Sequence, residues 1–155
     1  MRAKILKSPM QKITTRNIKL IIDIISILFF LLFIYAAASK LFEYHNFKIQ
    51  LSKSPILTNF AMVLVWLVPI TEIIIGICLL FSRTILIGLY SSFALMTLFT
   101  LYIVAILKYT ESIPCSCGGI LQSMTWDQHL IFNIVFVVLA IIGITFQNIL
   151  NKKQG

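Results

Sequence analysis

Four long apolar stretches, separated by short polar segments, account for most of this chain. Each stretch has the roughly 20 apolar residues that a helix needs to cross a bilayer. The runs are continuous, whereas the strands of a membrane barrel alternate apolar and polar positions. We therefore predict an all-α membrane protein, a bundle of four transmembrane helices. The predicted spans are residues 18–41, 57–82, 84–107 and 129–149.

These spans form one membrane domain at residues 18–149, between a basic tail at 1–17 and a short tail at 150–155. Hydrophobic residues make up 59% of the chain and charged residues only 12%. In soluble globular domains the charged share is about 25%. The composition therefore excludes an ordinary soluble domain, and the chain has no room for a second one.

The net charge of +8 raises the question of a nucleic-acid partner. However, nine of the 13 Lys and Arg residues fall before or at the start of the first span, between spans two and three, or after span four. Such an excess marks the cytoplasmic face of a membrane protein. We expect both termini in the cytoplasm of a bacterium and the connections at 42–56 and 108–128 on the periplasmic side of the inner membrane. Membrane lipid, not nucleic acid, is then the expected surrounding.

Residues 114–119, Pro-Cys-Ser-Cys-Gly-Gly, are the most distinctive polar segment. Cys115 and Cys117 would face an oxidising compartment, where disulfides persist. A disulfide requires Cα atoms about 4.4–6.8 Å apart, which residues i and i+2 reach only in a bent chain. Pro114 and the two glycines allow that bend. Strained, exposed disulfides exchange readily, so we predict a redox-active pair.

Two alternatives stay open for this pair. Two thiolates suit Cu(I) or Zn(II), and His45 and His129 could complete a four-ligand metal site with Cys115 and Cys117. The cysteines could instead form a fixed disulfide in a non-catalytic subunit that stabilises a larger membrane complex. Cys78 cannot join them, because it lies near the inner end of span two and the hydrocarbon core is about 30 Å thick. The chain thus has one usable dithiol.

Polar residues inside the predicted spans mark a second candidate region. Glu72 lies near the middle of span two, where an ionised carboxylate is unfavourable. On span four, His129 and Asn133 share a face that we expect to turn inward, and His129 could shuttle a proton for the cysteines. Lys40 either extends to the membrane surface or reaches a polar cavity around Glu72, although we expect these two residues at different depths. Glu72, Asn133 and Lys40 are candidates for binding a quinone.

Three segments of the chain form a recognisable combination. They are Ser39-Lys40-Leu41, Pro69-x-x-Glu72-x-x-x-Gly76 and the Cys115-x-Cys117 loop. Together they resemble the MauE/DoxX-like family of redox-associated bacterial membrane proteins, over roughly residues 20–148. The cysteine loop points to the MauE-like branch, with Gly118-Gly119 where its members usually have Phe-Gly. The resemblance implies a four-helix inner-membrane bundle, similar in layout to membrane disulfide-forming enzymes, that matures or reduces exported cysteine-containing proteins with a thioredoxin-like partner.

Our leading hypothesis is a thiol–disulfide redox protein. Cys115 and Cys117 would exchange with a periplasmic thioredoxin-like or secreted partner, with Cys115 slightly favoured as the attacking residue. Because the chain has one usable dithiol, the second redox centre would be a partner protein or a quinone held between the helices. His129 would aid proton transfer. The sequence leaves the direction of electron flow open.

Overall fold

Five α-helices make up almost all of the computed structural model, which describes residues 9–54, 57–109 and 125–154. The helices are α1 (Pro9–Phe42), α2 (Tyr44–Lys53), α3 (Ala61–Leu80), α4 (Ile85–Tyr109) and α5 (Trp126–Gln154), with a short 3-10 helix at Thr58–Phe60. Four of them, α1, α3, α4 and α5, are long and apolar enough to cross a membrane. The prediction of an all-α, four-span bundle is therefore confirmed, and no strand occurs among the described residues.

The four long helices form a ring in which α1 and α4 each contact both α3 and α5. Neighbouring helices run in opposite directions. On α1, Ile34 lies beside Gly76 of α3, and Lys40, six residues later on α1, lies beside Glu72, four residues earlier on α3. The interior is an apolar core with contributions from all four helices. Its fully buried members include Phe29, Phe33, Leu89 and Ala140.

Polar and apolar residues are distributed in the way a membrane requires. Large aliphatic side chains such as Leu31, Ile74 and Leu98 are exposed on the outside of the ring, whereas Glu72 and Asn133 are buried inside it. Lipid chains can cover apolar side chains but cannot satisfy a charge. The chain is thus a multi-pass membrane protein, with polar groups gathered in its interior.

Helix α2 corrects one expectation, because the connection at 42–56 is not a loop throughout. The helical conformation is interrupted at Glu43, and α2 then packs along the first turns of α3. Tyr44 lies 5.4 Å from Trp66 between ring centroids, and Leu51 packs against Ala61 and Val65. Helix α1 therefore ends beside the middle of α3 and not beside the first residue of α3.

The opposite end of the bundle contains the tight connection between α3 and α4. The Thr84 hydroxyl donates a hydrogen bond to the Cys78 carbonyl at 2.8 Å, which fixes the turn. Leu79 is consequently pressed against Gly88. A Cβ atom added to Gly88 would lie 2.9 Å from Leu79 Cδ2 and 3.1 Å from the Leu79 main-chain nitrogen.

Gly88→Ala is therefore expected to lower the free energy of unfolding by about 1–3 kcal/mol, as overpacking does. Gly76→Ala is the matched control, since its added Cβ would make an ordinary contact of 3.5 Å with Ile34 Cδ1. The measurement is thermal unfolding of both variants in detergent. Equal stability of the two would show that the α3–α4 turn relaxes without strain.

Candidate functional site

A buried ion pair joins α1 and α3 in the interior of the bundle. Lys40 Nζ donates a hydrogen bond to Glu72 Oε1 at 2.8 Å. Glu72 is fully buried and Lys40 is 6% exposed. Of the two placements considered for Lys40, the structure shows the internal one: its amine meets Glu72 and does not extend to the membrane surface.

The expectation that Lys40 and Glu72 differ in depth is wrong, for two physical reasons. First, the last turn of α1 lies beside the middle of α3, and α2 packs against the first turns of α3 instead. Second, helical side chains point back toward the N-terminus of their own helix. Lys40 does so, and its Nζ also approaches the Ala36 carbonyl one turn back, at 3.3 Å. Both effects bring the amine to the level of Glu72.

Aromatic rings from two further helices border the Lys40 amine. The ring centroids of Phe47 on α2 and Phe99 on α4 each lie 5.9 Å from Lys40 Nζ. At this distance the face of a ring attracts a cation. A positive charge that would be unfavourable in hydrocarbon is thus compensated by one carboxylate and two rings.

Helix α5 contributes His129 and Asn133, one turn apart on its inward face. They are 8% and 3% exposed. The start of α5 is fixed by a reciprocal cap: Thr125 N–H donates to Gln128 Oε1 at 3.0 Å, and Gln128 N–H donates to Thr125 Oγ1 at 3.4 Å. Such a capping box sets where a helix begins, and here it positions His129 in the first turn.

Two buried polar atoms of this cluster lack a hydrogen-bond partner in the described part of the chain. They are Glu72 Oε2, an acceptor, and Asn133 Nδ2, a donor. Leaving such a group unpaired costs about 1–3 kcal/mol, so native proteins rarely do so without a reason. The cluster therefore has capacity for a molecule that offers both a donor and an acceptor.

Helix α2 closes this cluster at the end of the bundle where α1 and α4 finish and α5 begins. Ser54, the residue directly after α2, is tied to α4 because Tyr102 Oη donates to Ser54 Oγ at 3.0 Å. Ser54 is fully buried, so the bond lies within the protein. We call Lys40, Glu72, Phe99, His129 and Asn133, with the α2 residue Phe47, the Lys40 cluster.

The predicted cysteine site, Cys115 and Cys117, lies outside the described residues. The chain enters and leaves that segment at the α2 end of the bundle, where α4 ends and α5 begins. His45 is exposed on α2, whereas His129 is buried. Among the described residues no three His, Cys, Asp or Glu side chains converge as a metal site. Cys78 lies in the last turn of α3, near the opposite end.

The sequence pattern indicates four members of the cluster, which are Lys40, Glu72, His129 and Asn133. It does not predict the contact between Lys40 and Glu72. Phe47 was missed as a neighbour because α2 was expected to be a loop. A signal for α2 exists: Tyr44, Phe47 and Leu51 are spaced by three and four residues, which places them on one helical face.

Fold and interior together define a class: a small multi-pass membrane protein whose four-helix ring encloses a buried lysine–carboxylate pair. Comparison with protein families makes this specific. The chain belongs to the MauE family, since the family model described as methylamine utilisation protein MauE matches residues 18–146. The MauE resemblance is thereby confirmed. Comparison with curated proteins and with solved structures gives no match.

Proposed function

We propose that this protein is a thiol–disulfide redox protein of the bacterial inner membrane. Cys115 and Cys117 exchange with a thioredoxin-like or secreted protein in the periplasm. Electrons pass between this dithiol and a lipid-soluble quinone whose head group binds at the Lys40 cluster. Membership of a family described by methylamine utilisation supports a membrane protein in a redox context.

The observation that carries the proposal is the incomplete hydrogen bonding around the buried ion pair. Glu72 Oε2 and Asn133 Nδ2 are buried without partners in the described part of the chain. A quinone carbonyl can accept a hydrogen bond from Asn133 Nδ2, and a hydroxyl of the reduced quinol can donate one to Glu72 Oε2. The Phe99 ring beside Lys40 offers a flat apolar surface for a planar ring.

The chemistry balances with a quinone as the second redox centre. Two cysteine S–H bonds break, one S–S bond forms, and two electrons and two protons pass to the two carbonyl oxygens of the quinone, which becomes a quinol. The reverse reaction reduces the disulfide. Cys78 does not act as the second centre, because it is in the last turn of α3 at the far end of the bundle.

His129 is the proposed proton carrier between thiol and quinone. It lies in the first turn of α5, the helix that follows the cysteine segment, and it is buried. An imidazole can take up and release a proton near neutral pH. Its place in the first turn of α5, fifteen residues or fewer after the two cysteines in the sequence, supports a relay role.

Cys117→Ser is expected to accumulate a mixed disulfide between Cys115 and the partner, because the resolving thiol is gone. Acid trapping of membranes, thiol labelling and identification of the attached protein measure this. Cys78→Ser is the control and should leave the trapped species unchanged. The Cys115→Ser/Cys117→Ser double variant should trap nothing.

The same measurements separate the alternatives. Cysteines that never change redox state when quinone or partner is supplied, with a harmless double variant, would contradict the proposal and favour a non-catalytic subunit. Copper or zinc that copurifies with the protein and is lost in the double variant would favour the metal site.

A further inference from the structure

We infer that the Lys40 cluster binds the reduced, hydroxyl-bearing form of a quinone more tightly than the oxidised form, so that electrons flow from the cysteine pair to the quinone. This inference rests on the proposed function and gives it a direction. It follows from which polar atoms of the cluster are already used and which are still free.

The free oxygen of Glu72 decides the preference. Glu72 Oε1 accepts the hydrogen bond from Lys40 at 2.8 Å, whereas Oε2 is buried and has no partner among the described residues. An ionised carboxylate can only accept hydrogen bonds, so a ligand at Oε2 must donate one. A quinol hydroxyl donates. A quinone carbonyl cannot, and its oxygen would be repelled by Oε2.

Asn133 provides anchoring without discrimination. Its Nδ2 atom is a buried donor with no partner in the described ranges. The oxygen of a quinone carbonyl and the oxygen of a quinol hydroxyl both accept hydrogen bonds. Asn133 therefore holds either redox form, and the difference in affinity comes from Glu72.

The strength of that difference can be bounded. A hydrogen bond to a charged group is worth about 1.5–3 kcal/mol, which corresponds to roughly tenfold or more in affinity. Lys40 Nζ lies 2.8 Å from Glu72 Oε1 and supplies the counter-charge for the carboxylate, and the low polarity of the surroundings strengthens a hydrogen bond to it. We expect the quinol to bind at least about tenfold more tightly than the quinone.

Selective binding of the reduced form has an electrochemical consequence. Each tenfold preference for quinol raises the two-electron potential of the bound quinone by about 30 mV. The bound quinone is then a stronger oxidant than the same molecule free in the bilayer. The favoured reaction is a cysteine dithiol plus quinone giving a disulfide plus quinol, and the protein supplies disulfides to its partner.

The test compares a short-chain benzoquinone with its quinol, each titrated under anaerobic conditions into the full chain in lipid nanodiscs. The expected result is a dissociation constant about tenfold or more lower for the quinol. Glu72→Gln retains the shape but replaces the free acceptor by an amide donor, so the preference should disappear or reverse. Ser92→Ala is the control, since Ser92 is buried but bonded to the Gly88 carbonyl of its own helix, and it should keep the preference.

Asn133→Leu provides a second variant if Glu72→Gln does not fold. It removes the donor that both forms share, so both affinities should fall while the ratio between them stays. Equal or tighter binding of the quinone to the unmodified protein would overturn the inference.

Thiol labelling of the same samples distinguishes this failure from failure of the proposed function. If quinone oxidises the cysteines while the quinol is not preferred, the inference fails and the proposed function stands. If quinone leaves the cysteines unchanged and neither form binds, the proposed function fails, and the inference with it.

Discussion

Lys40→Met is expected to lower the free energy of unfolding by about 3–5 kcal/mol, the loss typical when one partner of a buried ion pair is removed. The cause is the Glu72 carboxylate, which is fully buried and would lose the 2.8 Å hydrogen bond from Lys40 Nζ. The variant also leaves the Phe47 and Phe99 rings without their cation. Unfolding in detergent, followed by circular dichroism, measures the loss.

A compensating variant makes this prediction specific to the pair. Lys40→Met combined with Glu72→Leu removes both charges, and such replacements of buried pairs are often neutral or stabilising. We expect the double variant to recover most of the stability that the single variant loses. Lys53→Met is the control, because Lys53 is exposed at the end of α2 and should change stability little. If Lys40→Met behaves like this control, the ion pair does not form in the membrane.

The second large effect is expected at His129, in catalysis and not in stability. His129→Gln should slow the reaction of the reduced cysteine pair with quinone about 100-fold, the lower range for loss of a general acid–base group. The cysteines themselves remain, so a Cys117→Ser/His129→Gln variant should still trap the partner protein. Stopped-flow measurement of quinone reduction, with thiol trapping in parallel, tests both parts.

His45→Gln is the matched control for this measurement, since His45 is the other histidine of the chain and is exposed on α2. Its rate should equal that of the unmodified protein. An unchanged rate in His129→Gln would limit His129 to a packing role. An equal loss in both histidine variants would point to the alternative metal site, which uses both.

The spanning helices could be predicted from the sequence because lipid imposes a simple rule on composition. In lipid, continuous apolar runs such as 57–82 and 84–107 can satisfy their backbone hydrogen bonds only as helices. The helices found there are Ala61–Leu80 and Ile85–Tyr109. Helix α2 follows no such rule. Its sequence is short and polar, so only the spacing of Tyr44, Phe47 and Leu51 marks it, and packing against α3 stabilises it.

The meeting of Lys40 with Glu72 depended on the helix that was missed. With a loop expected at 42–56, the sequence places the end of α1 at the membrane surface and Lys40 at a different depth from Glu72. The unpaired atoms Glu72 Oε2 and Asn133 Nδ2 could not have been foreseen at all, because they depend on which neighbours the folded bundle provides. The roles of Cys115 and Cys117 remain predictions from the sequence.

The buried ion pair also bears on how this protein is made. During synthesis α1 is completed before α3, and either helix alone would carry an uncompensated charge into the bilayer, which is unfavourable. The α1–α3 hairpin is the smallest part of the chain in which Lys40 and Glu72 neutralise each other. Helices α4 and α5 then join a charge-balanced hairpin. We therefore expect α1 and α3 to be more stable in lipid as a pair than either helix is alone.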